Sequence, residues 1–157
     1  GSLTRDLLFL YQQNQLPASL QPQIITSPGR YELAAGLALS VTNLAPAEVS
    51  QVHPDHTHML IDPMKTPFPW VIRSAQPGER IRLSPGISTL ISDLFTNAHI
   101  PRPLRPLLPV LSAGTTVFAV PGLRRSNHGL LPDDPKAVML VTLFGFDTLP
   151  IEPQTND

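Results

Sequence analysis

Proline is the residue that most restricts what this chain can fold into. Nineteen of its 157 residues are prolines, and they are spread through a sequence that is 41% hydrophobic. A proline fixes φ and removes a backbone N–H donor, so it interrupts helices and the central strands of sheets. The apolar content is too high for a disordered chain. The sequence therefore predicts many short strands joined by rigid turns.

Local patterns extend this prediction along the chain. Apolar residues recur at helical spacing over Leu3–Asn14, which predicts a helix, and they alternate over Leu37–Val41 as in a half-buried strand. Ser88 is the predicted N-cap of a second helix that ends near Asn97. The other predicted elements are strands on either side of Pro28-Gly29, a loop over 43–56, strands over 59–61, 68–74 and 80–83, a single turn at 103–107, a hairpin of 108–111 with 116–120, and a last strand over 137–144.

Composition limits the compartment and the domain organisation. The chain has no cysteine, which excludes disulfides and thiolate metal sites and fits a reducing cytosol. No apolar run approaches the roughly 18 residues of a spanning helix, and no signal peptide is recognisable, so we expect a cytoplasmic protein without membrane contact. Gly1-Ser2 looks like a tag remnant, so we expect a domain cut from a longer protein. We divide the remainder into a helix and hairpin region over 3–56, a C-terminal domain over 57–148 and a disordered tail over 149–157.

The positive charge is concentrated in one segment. The whole chain has a formal net charge of −1, whereas residues 70–125 carry seven arginines against Glu79 and Asp93, a net charge of +5. Guanidinium groups bind phosphate in a bidentate manner, so such a segment is predicted to contact a polyanion. The seven arginines are Arg73, Arg80, Arg82, Arg102, Arg105, Arg124 and Arg125.

Two pairs of these arginines have a geometry that the sequence predicts. Arg80 and Arg82 are two residues apart in a strand, so both lie on one face, away from the core. Arg102 and Arg105 are three residues apart in a turn framed by prolines, which puts them on neighbouring positions of one face. The proline frame also limits the freedom that the second pair would lose on binding.

Four stretches of sequence occur in one ordered series over about half of the chain. They are IDPMKTPFPWVIR, QPGERIRL, LISDLFTNAHIPRPLRPLLPVL and VFAVPGLR. From Asp62 to about Val141 the chain resembles the C-terminal domain of tRNA(Ile)-lysidine synthetase. That family has an Asp-led strand, a Gly-Asp/Glu-Arg turn, an Ile-Pro-Arg-x-x-Arg stretch and a Gly-Leu-Arg after a hairpin.

The resemblance implies a fold and a role. The fold is α+β, a layered sandwich of short, mainly antiparallel strands with a covering helix, similar to a domain in the β subunit of phenylalanyl-tRNA synthetase. The role is that of a tRNA-binding accessory domain in an enzyme that uses ATP to attach lysine to the anticodon cytidine of an isoleucine tRNA. All seven arginines are candidate RNA contacts, and Arg102 and Arg105 rank first because they match the family stretch.

The resemblance also implies what lies outside this chain. ATP and magnesium would be held by a missing N-terminal catalytic domain, so we expect this chain to be inactive alone and to hold no cofactor. The expected partners are tRNA and that catalytic domain, with homodimerisation left open. One departure from the family is the pair Ser88-Thr89, which stands where two lysines are usual before the helix. A second is Pro106, which replaces a charged residue.

The residues exclude several kinds of catalytic site. No two glycines after Gly1 lie closer than seven residues apart, which excludes the glycine-rich phosphate loops. His53, Asp55, His56 and His58 could form a metal cluster, but no spacing elsewhere completes a four-ligand site, so a solvated loop is the preferred interpretation. The main alternative to RNA binding is a protein-interaction or dimerisation module.

Two further residues have competing interpretations. Trp70 could stack on a base, although its position on an apolar strand favours the core. His99 follows the predicted helix, where a packing or capping role is favoured over that of a catalytic base.

Overall fold

The structure is a computed structural model that describes residues 19–34, 36–51, 58–126, 132 and 135–145. These residues form two antiparallel sheets and a separate two-stranded ribbon. The five-stranded sheet has the order β1-β5-β8-β9-β10, from Gln23–Ile25, Trp70–Arg73, Val110–Ala113, Thr116–Val120 and Arg124–Arg125. The four-stranded sheet has the order β2-β3-β11-β4, from Gly29–Glu32, Ala38–Leu44, Val138–Phe144 and His58–Ile61.

One hydrophobic core joins the two sheets. Leu39 and Ile61 of the four-stranded sheet belong to the same buried cluster as Trp70, Leu111 and Phe118 of the five-stranded sheet. All five are completely buried. Strands of four to seven residues suffice here because each buries its apolar face against the facing sheet. The predicted α+β sandwich is thereby confirmed.

The strands on either side of Pro28 exist, but they do not pair with each other. β1 pairs with β5 at Ile24↔Val71, whereas β2 pairs with β3 at Arg30↔Ser40. The chain therefore passes from one sheet to the other within the three residues 26–28. This crossing also means that strands of the predicted 3–56 region lie in the same sheets as strands of the predicted 57–148 domain.

The ribbon consists of β6 (Arg80–Ser84) and β7 (Ile87–Leu90), which lead into helix α1 (Ile91–Asn97). The prediction that Ser88 caps this helix is wrong, because Ser88 lies in β7 opposite Arg82. Gly86, at φ 77°, turns the chain into a hairpin, and the strand pairing then continues to Leu90. The backbone N–H of Ile91 donates to the carbonyl of Glu79, at 2.9 Å, where a capping side chain was expected.

The helix buries Ile91 and Phe95, and the predicted end at Asn97 is confirmed. The predicted turn at 103–107 is a 3₁₀ helix, Arg102–Leu107, which buries Leu104 and Leu107. Ser74 fixes it to the end of β5, because its hydroxyl donates to the Pro106 carbonyl.

The prediction of a loop over 43–56 is wrong in part. β3 continues to Leu44, and a 3₁₀ helix covers Pro46–Gln51. The N–H of Glu48 donates to the Ala45 carbonyl, so the local bonds of a helical turn replace the expected irregular chain. The predicted helix over 3–14 and tail over 149–157 lie outside the described residues. In the part of the chain that the structure describes, no helix has the length and apolarity that a membrane span requires.

Candidate nucleic-acid interface

The structure divides the seven arginines into two groups. Four are exposed and three are half-buried. The exposed residues are Arg80, Arg82, Arg102 and Arg124, and the half-buried residues are Arg73, Arg105 and Arg125. Contact with a polyanion requires an accessible guanidinium group, so the first group is better placed for it.

Arg80 and Arg82 come together at one surface cleft. Both are exposed on the same face of β6, as predicted, and both line a cleft of about 260 Å³ beside the β8–β9 hairpin. The cleft is also lined by Ser88, Thr115, Thr116 and Val117. The Nε–H of Arg80 donates to the Ser88 hydroxyl at 3.0 Å, which orients this guanidinium group. Two arginines and three hydroxyl groups at one cleft can donate several hydrogen bonds to a phosphate.

The hydroxyls of this cleft were not predicted as part of the site. Ser88 is predicted to cap the helix, at a position where the family usually has a lysine. In the structure it faces Arg82 across the ribbon and bonds Arg80. A signal was present in the sequence, because Pro85-Gly86 midway between Arg82 and Ser88 is a hairpin pattern.

Arg73 is held in an ion pair rather than presented to solvent. Its two terminal nitrogens donate to the two carboxylate oxygens of Glu79 at 2.8 and 2.6 Å, and one of them also donates to the Ser74 carbonyl. The hydrogen bond to Glu79 raises the pKa of Arg73 against the opposing effect of burial. The pair fixes the 76–79 turn against the end of β5.

Arg102 and Arg105 share the second 3₁₀ helix but have different environments. Arg102 is exposed, and we find no hydrogen bond or ion pair of its side chain to another described residue. Arg105 is half-buried, and its Nε–H donates to the carbonyl of Ile100 at 2.9 Å. Part of the Arg105 side chain therefore stabilises the entry into the 3₁₀ helix.

Arg124 and Arg125 form the short edge strand β10, and they also differ. Arg124 is exposed, whereas Arg125 donates from Nη1 to the Leu60 carbonyl in the other sheet. Burial lowers the pKa of the Arg125 guanidinium, and its Nε has no hydrogen-bond partner among the described residues. Arg125 thus connects the two sheets.

A second depression lies on the other side of the hairpin tip. Its volume is about 420 Å³ and its lining is mainly apolar. It is lined by Lys65, Thr66, Pro67, Phe68, Pro69, Ala113, Gly114, Thr116 and Phe118. The Phe68 ring is half-buried and packs on Trp70, with ring centroids 4.5 Å apart.

Trp70 and His99, the two residues with competing interpretations, both have a structural role. Trp70 is fully buried, and its indole N–H donates to the Thr66 carbonyl at 2.7 Å, so the core interpretation is confirmed. His99 takes a positive φ of 58° immediately after Ala98, the C-cap residue of α1, which is a helix-ending conformation. Of the four residues weighed as a metal cluster, only His58 lies within the described residues, and among the described residues we find no group of three metal-binding side chains.

Comparison with known proteins identifies the segment that carries this site. Residues 71–141 match the family model described as the TilS substrate C-terminal domain. The chain is 30% identical over 141 residues to a tRNA(Ile)-lysidine synthase of Geobacter sulfurreducens, and 32% identical over 107 residues to that of Symbiobacterium thermophilum. These alignments cover 89% and 66% of this chain, but only 30% and 22% of the relatives.

A solved structure supports the same assignment at the level of the fold. The crystal structure of a TilS C-terminal domain superposes with a TM-score of 0.64 at 20% identity, covering 78% of this chain and 96% of that one. The matched segment contains β5 from Val71 onward, the ribbon, α1 and the β8–β9 hairpin, and with them all seven arginines. Residues 71–141 of the chain therefore belong to the TilS substrate C-terminal domain family.

Proposed function

We propose that this chain is the tRNA-binding accessory part of a tRNA(Ile)-lysidine synthase. In such an enzyme lysine would be attached to the anticodon cytidine of an isoleucine tRNA at the expense of ATP. ATP and magnesium would be held by a catalytic domain outside this chain, and the reaction would take place in the cytoplasm. The partners of the chain would then be tRNA and that catalytic domain.

One observation carries the proposal. Within the segment that matches the family, residues 71–125 hold a net charge of +5, and four of their seven arginines are exposed. Arg80 and Arg82 line one cleft with hydroxyl groups, which is a suitable surface for the phosphates and 2′-hydroxyls of an A-form stem. Such contacts position the RNA on the protein and carry little sequence information by themselves.

The direct test is a titration of the chain with tRNA at several salt concentrations. Phosphate contacts release counterions, so the logarithm of the association constant should fall linearly with the logarithm of salt concentration. Replacing Arg80 and Arg82 together by glutamine should weaken binding at low salt and make the slope less steep. Arg30→Gln is the control, because Arg30 is also exposed but lies in the four-stranded sheet, away from the ribbon, and is paired with Glu32. No binding at low salt, or binding that salt does not change, would refute the proposal.

The alternative of a protein-interaction module has one observation in its favour. Ile24 is 72% exposed on β1, the edge strand of the five-stranded sheet. A strand with an exposed apolar residue, at a sheet edge that no other described strand covers, can pair with a second chain. Light scattering over a range of protein concentrations tests this, with Ile24→Lys as the variant. A mass that stays monomeric in both proteins would refute homodimerisation.

A further inference from the structure

Two depressions with different chemistry meet at the tip of the β8–β9 hairpin. The apolar pocket is bordered by Ala113 and Gly114, and the arginine cleft by Thr115 and Val117. Thr116 lines both, so a single residue forms a shared wall. A ligand that lies across this wall would present an apolar part to one side and an anionic part to the other.

The apolar pocket has the size and lining of a site for a flat aromatic group. Its volume of about 420 Å³ falls within the range of roughly 300–1,000 Å³ that small-molecule sites occupy. The Phe68 ring packs on Trp70, which itself packs on Phe118 with ring centroids 4.9 Å apart. An aromatic wall that is fixed in this way loses little freedom when a ligand stacks on it.

The adjoining cleft supplies the complementary charge. Arg80 is oriented by Ser88, and Arg82 is exposed beside it, so both can donate to one anionic group. Lys65 is one of the residues that line the apolar pocket, to which it adds a positive charge. An aromatic surface beside arginines is the combination that proteins use for single-stranded nucleic acid.

We propose that the two depressions together bind one unpaired nucleotide of the RNA, with its base in the Phe68 pocket and its phosphate in the Arg80–Arg82 cleft. This proposal rests on the proposed function, and it adds that the protein recognises a junction between a stem and an unpaired base. A base inside a continuous stem is stacked on its neighbours and cannot enter the pocket.

The test compares two short RNA duplexes, one blunt and one with a single-stranded extension, at one salt concentration. Stacking of one base should make the extended duplex bind about tenfold more tightly. Phe68→Leu keeps an apolar side chain against Trp70 but removes the aromatic face. It should abolish the difference between the two duplexes and leave the affinity for the blunt one unchanged.

A second variant tests the same site at a position outside the core, where a substitution does not disturb folding. Thr116→Glu adds a negative charge to the shared wall at an exposed position, and it should weaken binding of the extended duplex more than that of the blunt one. Thr42→Glu is the matched control, because Thr42 is exposed on β3 in the other sheet. A fluorescent base analogue in the extension should change its emission on binding to the wild-type protein.

The outcomes separate this proposal from the proposed function. If the wild-type protein binds both duplexes equally and the analogue does not respond, the nucleotide site is refuted while RNA binding stands. If neither duplex binds at low salt, both proposals fail. If Phe68→Leu preserves the full difference, the base does not occupy this pocket.

Discussion

The carboxylate of Glu79 accepts a hydrogen bond from each terminal nitrogen of Arg73, and the side chains of the two residues are only 17% and 15% exposed. Burial alone would raise the pKa of Glu79. The hydrogen bonds from Arg73 and Gln76 and the charge of Arg73 outweigh burial, so the pKa of Glu79 is lowered. The ionised carboxylate therefore stabilises the folded state.

Glu79→Gln should reduce the free energy of unfolding at neutral pH by about 2 kcal/mol, since a charged hydrogen-bonded pair is lost and Arg73 keeps a buried charge. Because the folded-state pKa of Glu79 lies below its unfolded value, this stabilisation is complete above the unfolded value, about 4.3, and disappears as pH falls through the folded value. Urea unfolding between pH 7 and pH 3 measures it.

The variant should therefore show a weaker loss of stability in acid than the wild-type protein. Glu32→Gln is the control, because the Glu32 side chain is 73% exposed in its pair with Arg30 and should contribute much less. Equal losses in the two variants would mean that the Arg73–Glu79 pair has no special structural role.

At the residue scale, the sequence identified the arginines but not their partners. Arg73 meets Glu79 six residues later across a turn, and this pairing was within reach of local pattern analysis. Arg125 bonds the Leu60 carbonyl, which lies 65 residues away in the other sheet. Such a contact depends on the packing of the sheets, so no local pattern predicts it.

At the scale of single elements, the end of helix α1 is defined by backbone bonds and one unusual residue. The N–H of Ile100 donates to the Phe95 carbonyl and that of His99 to Thr96, which are the two bonds of a Schellman motif. Ile100 and Phe95 are both buried, as this motif favours. His99 occupies the left-handed position at φ 58°, where glycine is preferred.

His99→Gly should therefore raise the free energy of unfolding by about 0.5–1 kcal/mol. Relief of the left-handed strain, about 1–2 kcal/mol, is partly offset by the greater freedom of glycine in the unfolded chain. His99→Ala keeps the Cβ atom and serves as the control, with no expected gain. Thermal unfolding of the three proteins is the measurement, and a loss of stability in the glycine variant would contradict the assigned motif.

The ribbon shows why element boundaries were harder to predict than the elements. The apolar pattern of residues 90–95 is helical and correctly placed α1, but Ser88 before it fits an N-cap as well as a strand. Pairing with β6 decides between the N-cap and the strand. The ladder that includes Arg80↔Leu90 gives the backbone groups of β6 hydrogen-bond partners, which they would lack if the helix began earlier. Tertiary pairing thus overrides a local capping signal.

At the scale of the whole molecule, the prolines predicted short strands correctly but not how those strands are distributed. β1 and β2 are close neighbours in the chain, yet they belong to different sheets. β11, near the end of the described chain, lies between β3 and β4. These non-local pairings bury the apolar faces of the two sheets in one core. Among the features of the sequence, only the family resemblance indicated such a layered sandwich.

Under the proposed function, the division of the arginines into exposed and half-buried residues predicts two separable effects of their replacement. Each exposed arginine is replaced singly by glutamine. The slope of the logarithm of the tRNA association constant against the logarithm of salt concentration should become less steep by about one, and the free energy of unfolding should stay nearly unchanged. Arg73→Gln and Arg105→Gln should instead lower the free energy of unfolding by about 1 kcal/mol or more, because each removes a part-buried hydrogen bond. The exposed set is Arg80, Arg82, Arg102 and Arg124.

Arg125 is left out of this comparison because its replacement has opposing effects on stability. Replacement would remove the hydrogen bond to the Leu60 carbonyl, which lowers stability. It would also remove a buried charge and a buried Nε that has no hydrogen-bond partner among the described residues, which raises stability. For the other six variants, salt-dependent binding and urea unfolding are measured on the same preparations. Two groups should result, one changed in the salt slope and one in stability. If Arg105→Gln changes the slope as much as Arg102→Gln and leaves stability intact, the proline-framed pair acts as a unit toward RNA, and exposure alone does not select the contacts.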